Sequence, residues 1–449
     1  MSEHATPRFA RKMNLHDWLT YLESLHPKTI ALGLERVAQV KQRLNLDPGF
    51  PVITVGGTNG KGSACAMLES ILHAAGYRVG CYTSPHLLHY NERVRIGKRQ
   101  ASDAELCASF EKIEQARKRQ PPPPCRGKEQ SPESEGVQLT YFEFGTLAAM
   151  QCFIEHKVDV AVLEVGLGGR LDAVNVFDGD CAVVTSVDID HTDYLGETRE
   201  QIAFEKAGIF RAGRVAVCAD TEVPQVLADH AEKIGAELWR IGHEFGFRMH
   251  QGQWDYFGKP GARNALPYPA LRGGFQLRNA SAALAALDAL GDKLPVSMEA
   301  VRRGLVEVQL AGRFQVIPGR PQLILDVAHN PHAARSLAQN LASLPPCPHT
   351  FAVFAMLRGK DMAGVAAALD PHIDTWLVAG IIAPRGAAAT ELAQALQNAG
   401  VRGEIQTFHD VGEALRYAYN VAGENDRITA LGSFYTVAEA MAARGLHIA

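Results

Sequence analysis

The sequence predicts an α/β fold in two units, the larger built on a mostly parallel sheet and the smaller repeating the same rhythm. Three observations carry this reading. Short β-branched runs alternate with alanine-rich stretches of helical periodicity. The alternation breaks at a stretch rich in glycine and proline and then restarts. Apolar residues make up 47% and charged residues 21% of 449, enough to build cores without disulfide or metal staples.

In the first unit the strands are read at 52–58 (VITVGGT), 78–84 (RVGCYTS), 158–165 (VDVAVLEV), 181–188 (CAVVTSVD) and 214–219 (RVAVCA). Strand, helix, strand in this rhythm means a parallel sheet covered on both faces. The stretch SACAMLESILHAAG at 63–76 sets apolar residues at helical spacing and ends on Gly76. Between Gly312 and Pro321, GRFQVIPGRP interrupts the periodicity, which sets the units at 1–311 and 312–449. Beyond it the strands are read at 323–328 (LILDVA), 351–356 (FAVFAM), 375–380 (TWLVAG), 404–408 (EIQTF) and 427–433 (RITALGS). The segment from Gln115 to Gln138 holds five prolines, many charges and little apolar content, so a mobile surface loop is expected there.

A net charge of -4 without a basic stripe argues against nucleic acid as a partner. The eight cysteines form no C-x-x-C pair, which reads as a reduced, cytoplasmic protein without structural zinc. The N-terminus lacks an apolar signal core, and no run approaches the roughly 18 apolar residues of a membrane span. No membrane partner is expected, and the working form is expected to be a monomer.

Chemistry first shows at VGGTNGKGSACAML, Val55 to Leu68. A strand, a glycine-rich loop and a helix N-terminus in succession turn backbone N–H groups toward a phosphate, and Lys61 adds a full charge. The loop does not fit G-x-x-x-x-G-K-[ST]: Val55 stands where the first glycine belongs, and Gly62 separates Lys61 from Ser63. A glycine-rich turn with a solvated lysine is the plainer alternative. Polar groups also gather at other strand ends, where open α/β sheets bind ligands. Ser84 ends one strand. Glu164 lies in an apolar strand, where a carboxylate is costly unless paired or bound to a metal. Asp188 to Asp193 hold four acidic or histidine side chains. Glu164 with Ser84 suits the oxygen-only demand of Mg²⁺ bound to ATP, while chemistry alone leaves His191 open. Each cluster taken singly is equally well a turn or a cap. Lys206 reads from chemistry alone as a surface lysine of a helix, although a carbamate formed with CO₂ would turn it into a ligand.

Taken together, LHPKTIALGLERV, GTNGKGS, TSPHL, LTYFEFGT, LEVGLGGRLDAVN, DHTDYLG, EKAGIF, AGRFQ, DVAHNP and GSFYT resemble, in the same order, the motifs of the bacterial bifunctional dihydrofolate synthase/folylpolyglutamate synthase family. GTNGKGS or DVAHNP alone would indicate only the broader Mur-like ligases. LGLERV, LTYFEF and GGRLDA together point to a folate substrate, and Gly62 is similar to the folate branch. The fold implied is an N-terminal P-loop ATPase-like domain with a C-terminal Rossmann-like, glutamate-ligase domain. The activity implied joins L-glutamate to dihydropteroate and to folates, using ATP.

By position, the resemblance implies ATP contacts at Thr58, Asn59, Gly60, Lys61, Gly62, Ser63, Asn279, Arg313 and Asp326. It implies two Mg²⁺ sites served by Ser84, Glu164, His191 and a carbamylated Lys206. Pteroate contacts fall at Ala31, Leu32, Gly33 and Leu34, at Thr140, Tyr141, Phe142 and Glu143, and at Leu171, Asp172 and Ala173. Glutamate falls to His329 and Ser433, and catalysis to Lys61, Lys206 and His329. The chain departs from the family pattern at Ala31, where relatives carry an acidic residue, and in its longer proline-rich segment. The rival readings are another Mur-like amino-acid ligase and a nucleotide-binding regulator without catalysis.

Overall fold

The structure is a computed structural model that describes residues 13–28, 30–119, 136–383 and 385–447. The first sheet contains β1 (Val52–Gly56), β2 (Val79–Tyr82), β3 (Val94–Ile96), β4 (Arg99–Gln100), β5 (Val160–Glu164), β6 (Cys181–Val184), β7 (Val215–Cys218) and β8 (Glu237–Arg240). Their order across it is β4-β3-β2-β5-β1-β6-β7-β8. Every pairing from β2 to β8 is parallel, and only the β2-β3-β4 edge runs antiparallel.

Successive side chains on a strand face opposite sides, so each inner strand serves two cores. Ala161 and Leu163 of β5 join Trp18, Phe110 and Phe144 on one side. Val160 and Val162 join the helices Lys61–Ala74 and Gln276–Ala289 on the other. That second face also receives a small antiparallel sheet of β9 (Gly246–Met249), β10 (Trp254–Gly258) and β11 (Gly261–Leu266), through Trp254 and Tyr256. The last sheet holds β12 (Gln315–Ile317), β13 (Gln322–Asp326), β14 (Thr350–Phe354), β15 (Thr375–Ala379), β16 (Glu404–Phe408) and β17 (Arg427–Leu431), in the order β12-β13-β17-β14-β15-β16. It too has a core on each face, with Phe354 and Trp376 on one and Leu325 and Leu377 on the other.

The apolar runs of the sequence are therefore strands, but several stop early. Thr58, Ser84 and Asp188 leave the sheet, because past β1, β2 and β6 the chain turns into loops at the carboxyl edge. The stretch GRFQVIPGRP, read as a plain interruption, carries the short edge strand β12. β3, β4, β8 and the β9-β10-β11 hairpins were not read from the sequence, since each is very short or leaves most of its residues partly exposed, so none forms an apolar run. Within the proline-rich segment, Gln115 to Lys118 complete the helix Asp103–Lys118, and residues 120–135 lie outside the described residues. Cys65, Cys81, Cys152, Cys181, Cys218 and Cys347 are free thiols. Among the described residues no helix is long and apolar enough to cross a membrane.

Candidate active site

The carboxyl ends of β1, β2, β5 and β6 lie side by side and face the corresponding ends of β13 and β17 across a cavity of about 510 Å³. β1 leads into the glycine loop and then the helix Lys61–Ala74. Gly60 caps that helix at φ 88, and a Cβ there would lie 2.5 Å from Asn279 Oδ1, so both backbone and space require glycine. Lys61 Nζ folds back onto the carbonyls of Gly57 (2.9 Å) and Thr58 (3.2 Å). The Asn59 N–H donates to Ser186 Oγ, and Thr58 Oγ1 donates to Asp188 O, which moors the loop to the segment after β6. Behind the loop, Gln276 bridges Asn279 and Ser63.

Glu164 closes β5 at 5% exposure, and its hydrogen bond among the described residues comes from Ser84 N at 3.1 Å. Burial pushes its carboxyl up against the pull of Lys61 and Arg313. A buried carboxylate this lightly partnered is costly alone and suits a bound cation. Among the described residues no three His, Cys, Asp or Glu form a ready-made metal cage. A Mg²⁺ that keeps water and substrate phosphate ligands needs no such cage, so Ser84, Glu164 and the imidazole of His191 fit it as a partial donor set. His191 sits at φ 53, and burial together with Lys360 lowers its imidazole to about 4, leaving it neutral.

Lys206 corrects the surface reading. It is only 3% exposed, because its helix Arg199–Ala207 packs inward through Ile202, Ala203 and Ala207. Burial, with Lys61 nearby, brings its amine down to about 7.

The second unit supplies the facing wall. Asp326 ends β13 and accepts from Phe314 N and Ala328 N, both at 2.8 Å. Arg313 is partly buried and stacks its guanidinium over the Phe434 ring at 4.9 Å. His329 Nδ1 donates to Val327 O, burial with Lys360 lowers the ring to about 4, and Nε2 lies 3.9 Å from Asp190 Oδ2. Ser433 caps the helix Phe434–Ala443 and contacts Thr436. All the positions assigned above to ATP, metal and glutamate line this one cavity.

The pteroate positions cluster elsewhere in the first unit. Gly33 N donates to Leu171 O, and Arg36 joins Ala31 O (2.7 Å) to Glu143 (2.8 Å), so the three stretches meet. Thr140 and Glu143 form a reciprocal capping box, and Asp172 accepts from Leu167 N and Val174 N. Their side chains are thus bonded within the protein. Phe142 reaches the main cavity's wall, since its ring fills the space a Cβ on Gly166 would take. Tyr141 lies under the Arg93 guanidinium, and Leu34 packs against the first core. Ala31 and Leu32 line a smaller hollow with His26, Arg36 and Tyr194, and Ala173 is buried.

Four residues of the seam between units were not singled out from the sequence: Asp190, Asn330, His332 and Lys360. Asp190 lies in the acidic cluster and Asn330 in DVAHNP, so both were within view. Lys360 carries no local signal. Its ammonium meets Asp190 Oδ1 at 2.6 Å, and burial alone would raise Asp190, yet Lys360 and His191 hold it well below the usual carboxylate range.

The family profile for the Mur ligase middle domain matches residues 134–287, and that for the Mur ligase glutamate ligase domain matches residues 312–434. A dihydrofolate synthase/folylpolyglutamate synthase of Escherichia coli is 45% identical over 428 residues, covering 95% of this chain and 94% of its own. The structure of E. coli FolC in complex with DHPP and ADP superposes with a TM-score of 0.89 at 44% identity, covering 98% and 99% of the two chains. A bifunctional folylpolyglutamate synthase/dihydrofolate synthase with Mn, AMPPNP and L-glutamate bound gives 0.86 at 46%, covering 97% and 98%. The glycine loop, the lightly partnered Glu164 carboxylate and the facing second sheet, with both matching profiles, define an amide-forming ligase of the Mur type. Within that class, the chain belongs to the dihydrofolate synthase/folylpolyglutamate synthase family.

Proposed function

We propose that the chain joins L-glutamate to dihydropteroate, giving dihydrofolate, and to the γ-carboxylate of folates, consuming ATP through an acyl phosphate. The observation that carries this is the single cavity in which the phosphate loop and Glu164 of one unit face Arg313, Asp326, His329 and Ser433 of the other. Residues 1–311 would bind ATP and pteroate, and residues 312–449 would complete the site from the opposite wall.

A carboxylate resists amine attack because its carbon is weakly electrophilic and oxide is a poor leaving group. Lys61 leaves its two loop carbonyls for the β- and γ-phosphates, and the helix N-terminus behind Gly60 adds its partial charge. The pteroate carboxylate attacks the γ-phosphorus, and ADP departs. Bound at Ser84, Glu164 and His191, Mg²⁺ would neutralise charge on the transferring phosphoryl group. Arg313 reaches the same charge from the second unit, and Asn279 and Asp326 complete the nucleotide's surroundings. The glutamate amine, placed by His329 and Ser433, attacks the acyl carbon and expels phosphate. Both walls come from one chain, which supports a monomer as the working form, acting in the cytoplasm.

Lys206 is proposed to act as a carbamate. Its amine is neutral above about pH 7, so the nitrogen lone pair can attack CO₂ and release a proton, leaving a carboxylate for a second Mg²⁺. Enriched ¹³CO₂ should give a carbamate signal in the parent that is missing in Lys206→Ala; its absence in both refutes the modification. For the whole reading, phosphate release should require ATP, dihydropteroate and glutamate together. Release that ignores dihydropteroate, or that occurs with a uridine-nucleotide cell-wall precursor instead, refutes it.

A further inference from the structure

Lys360 stands at the start of the helix Met362–Leu369 region of the second unit and reaches across the seam to the first. Its side chain is 10% exposed and that of Asp190 11%, so the pair is shielded from solvent. The other Asp190 oxygen accepts from Asn330 Nδ2 at 3.1 Å, and Asn330 Oδ1 accepts from Asn59 Nδ2 at 3.2 Å. Lys360, Asp190, Asn330 and Asn59 thus form a continuous chain that ties the second unit to the phosphate loop. The same ammonium lies 3.4 Å from His191 Nε2, where it donates to the imidazole lone pair. That lone pair serves either an N–H donor or a metal ion, never both.

We propose that Lys360 is a positioning residue with two settings. Without a divalent cation, its ammonium holds Asp190 and His191 together and keeps the second unit seated on the phosphate loop. When a cation takes His191 Nε2, the ammonium releases the imidazole and keeps Asp190. This rests on His191 being a metal ligand, as proposed above. The ammonium opposes the incoming cation twice, by occupying its ligand and by like charge a few ångströms away. Removing it should make cation binding tighter while loosening the seam, a combination that a merely structural lysine would not produce.

The test uses the full chain without nucleotide, titrated with Mn²⁺ by electron paramagnetic resonance, with hydrogen exchange measured over 186–195 and 327–334. Lys360→Met, or Lys360→Gln if the first does not fold, should bind Mn²⁺ roughly three- to tenfold tighter than the parent. Exchange in both segments should quicken by about tenfold or more. Lys360→Arg, which keeps the Asp190 pair, should restore protection. Either change without the other, or neither, overturns the two settings. His191→Ala separates the premises: if it binds Mn²⁺ as the parent does, the ligand reading fails whatever Lys360 does. If it loses Mn²⁺ while Lys360→Met matches the parent, only the positioning role fails.

Discussion

The phosphate loop and the stretches proposed for pteroate belong to the same unit, yet their polar side chains are bonded in opposite ways. Lys61 rests on two carbonyls of its own loop, and Glu164 takes a backbone N–H from Ser84. Thr140, Glu143 and Asp172 are closed into reciprocal networks with a helix N-terminus, with Arg36 and with the turn at 173–176. A group held by one or two loose backbone bonds can exchange them for a ligand at little cost, whereas a group in a closed network leaves partners stranded. The same degree of motif resemblance can thus mark a contact or a piece of architecture. Any pteroate contact near 140–143 and 171–173 would then fall to ring faces such as Phe142 and to backbone rather than to these carboxylates and hydroxyls.

The largest effect that sharpens this contrast is on Lys61. Lys61→Ala should lower kcat by about 10² to 10³, roughly 3 to 4 kcal/mol of transition-state stabilisation, in both glutamate additions. Its midpoint in urea should stay with the parent, because the side chain holds no core. A loss below tenfold would sink the phosphate role, and a large loss of stability would erase the contrast.

Glu143 should behave the other way. Glu143→Ala takes the carboxylate partner from Arg36, which keeps only Ala31 O, and opens the capping box, for a loss of about 1 to 3 kcal/mol in unfolding free energy. The readout is the urea midpoint beside KM for dihydropteroate. Unchanged stability with a KM raised more than tenfold would mean that Glu143 meets substrate directly, and the comparison would break.

What could be read from the sequence follows the same division between local and distant causes. The loop at Gly57 to Ser63 was legible because strand, glycines and helix are contiguous, and its conformation is set by residues a few positions apart. The alternation that places Val160 and Leu163 on opposite faces was legible for the same reason. The burial of Lys206 was not, since it depends on which face of its helix the tertiary packing covers. Lys360 and Asp190, 170 positions apart, carry no mutual signal along the chain. β11 was hidden because five of the six residues in GARNAL remain at least partly exposed.

The finest test lies in the hydroxyl of Thr140, the N-cap of the helix Tyr141–Glu155. Its oxygen accepts from Glu143 N at 3.2 Å, satisfying one of the N–H groups that a helix start leaves without a partner. Thr140→Ala removes that acceptor while leaving the Glu143 carboxylate on the Thr140 N–H, so about 1 kcal/mol of stability should go. Thr140→Ser keeps the acceptor and should recover most of it. If the hydroxyl serves the helix alone, KM for dihydropteroate stays within about twofold in both variants, since each tenfold corresponds to about 1.4 kcal/mol of binding. A KM that rises in Thr140→Ala and returns in Thr140→Ser, with the urea midpoint unmoved, would instead make the hydroxyl a substrate contact. Thr140 would then belong with Lys61 rather than with Glu143, and the boundary between ligand wall and scaffold would run through the capping box itself.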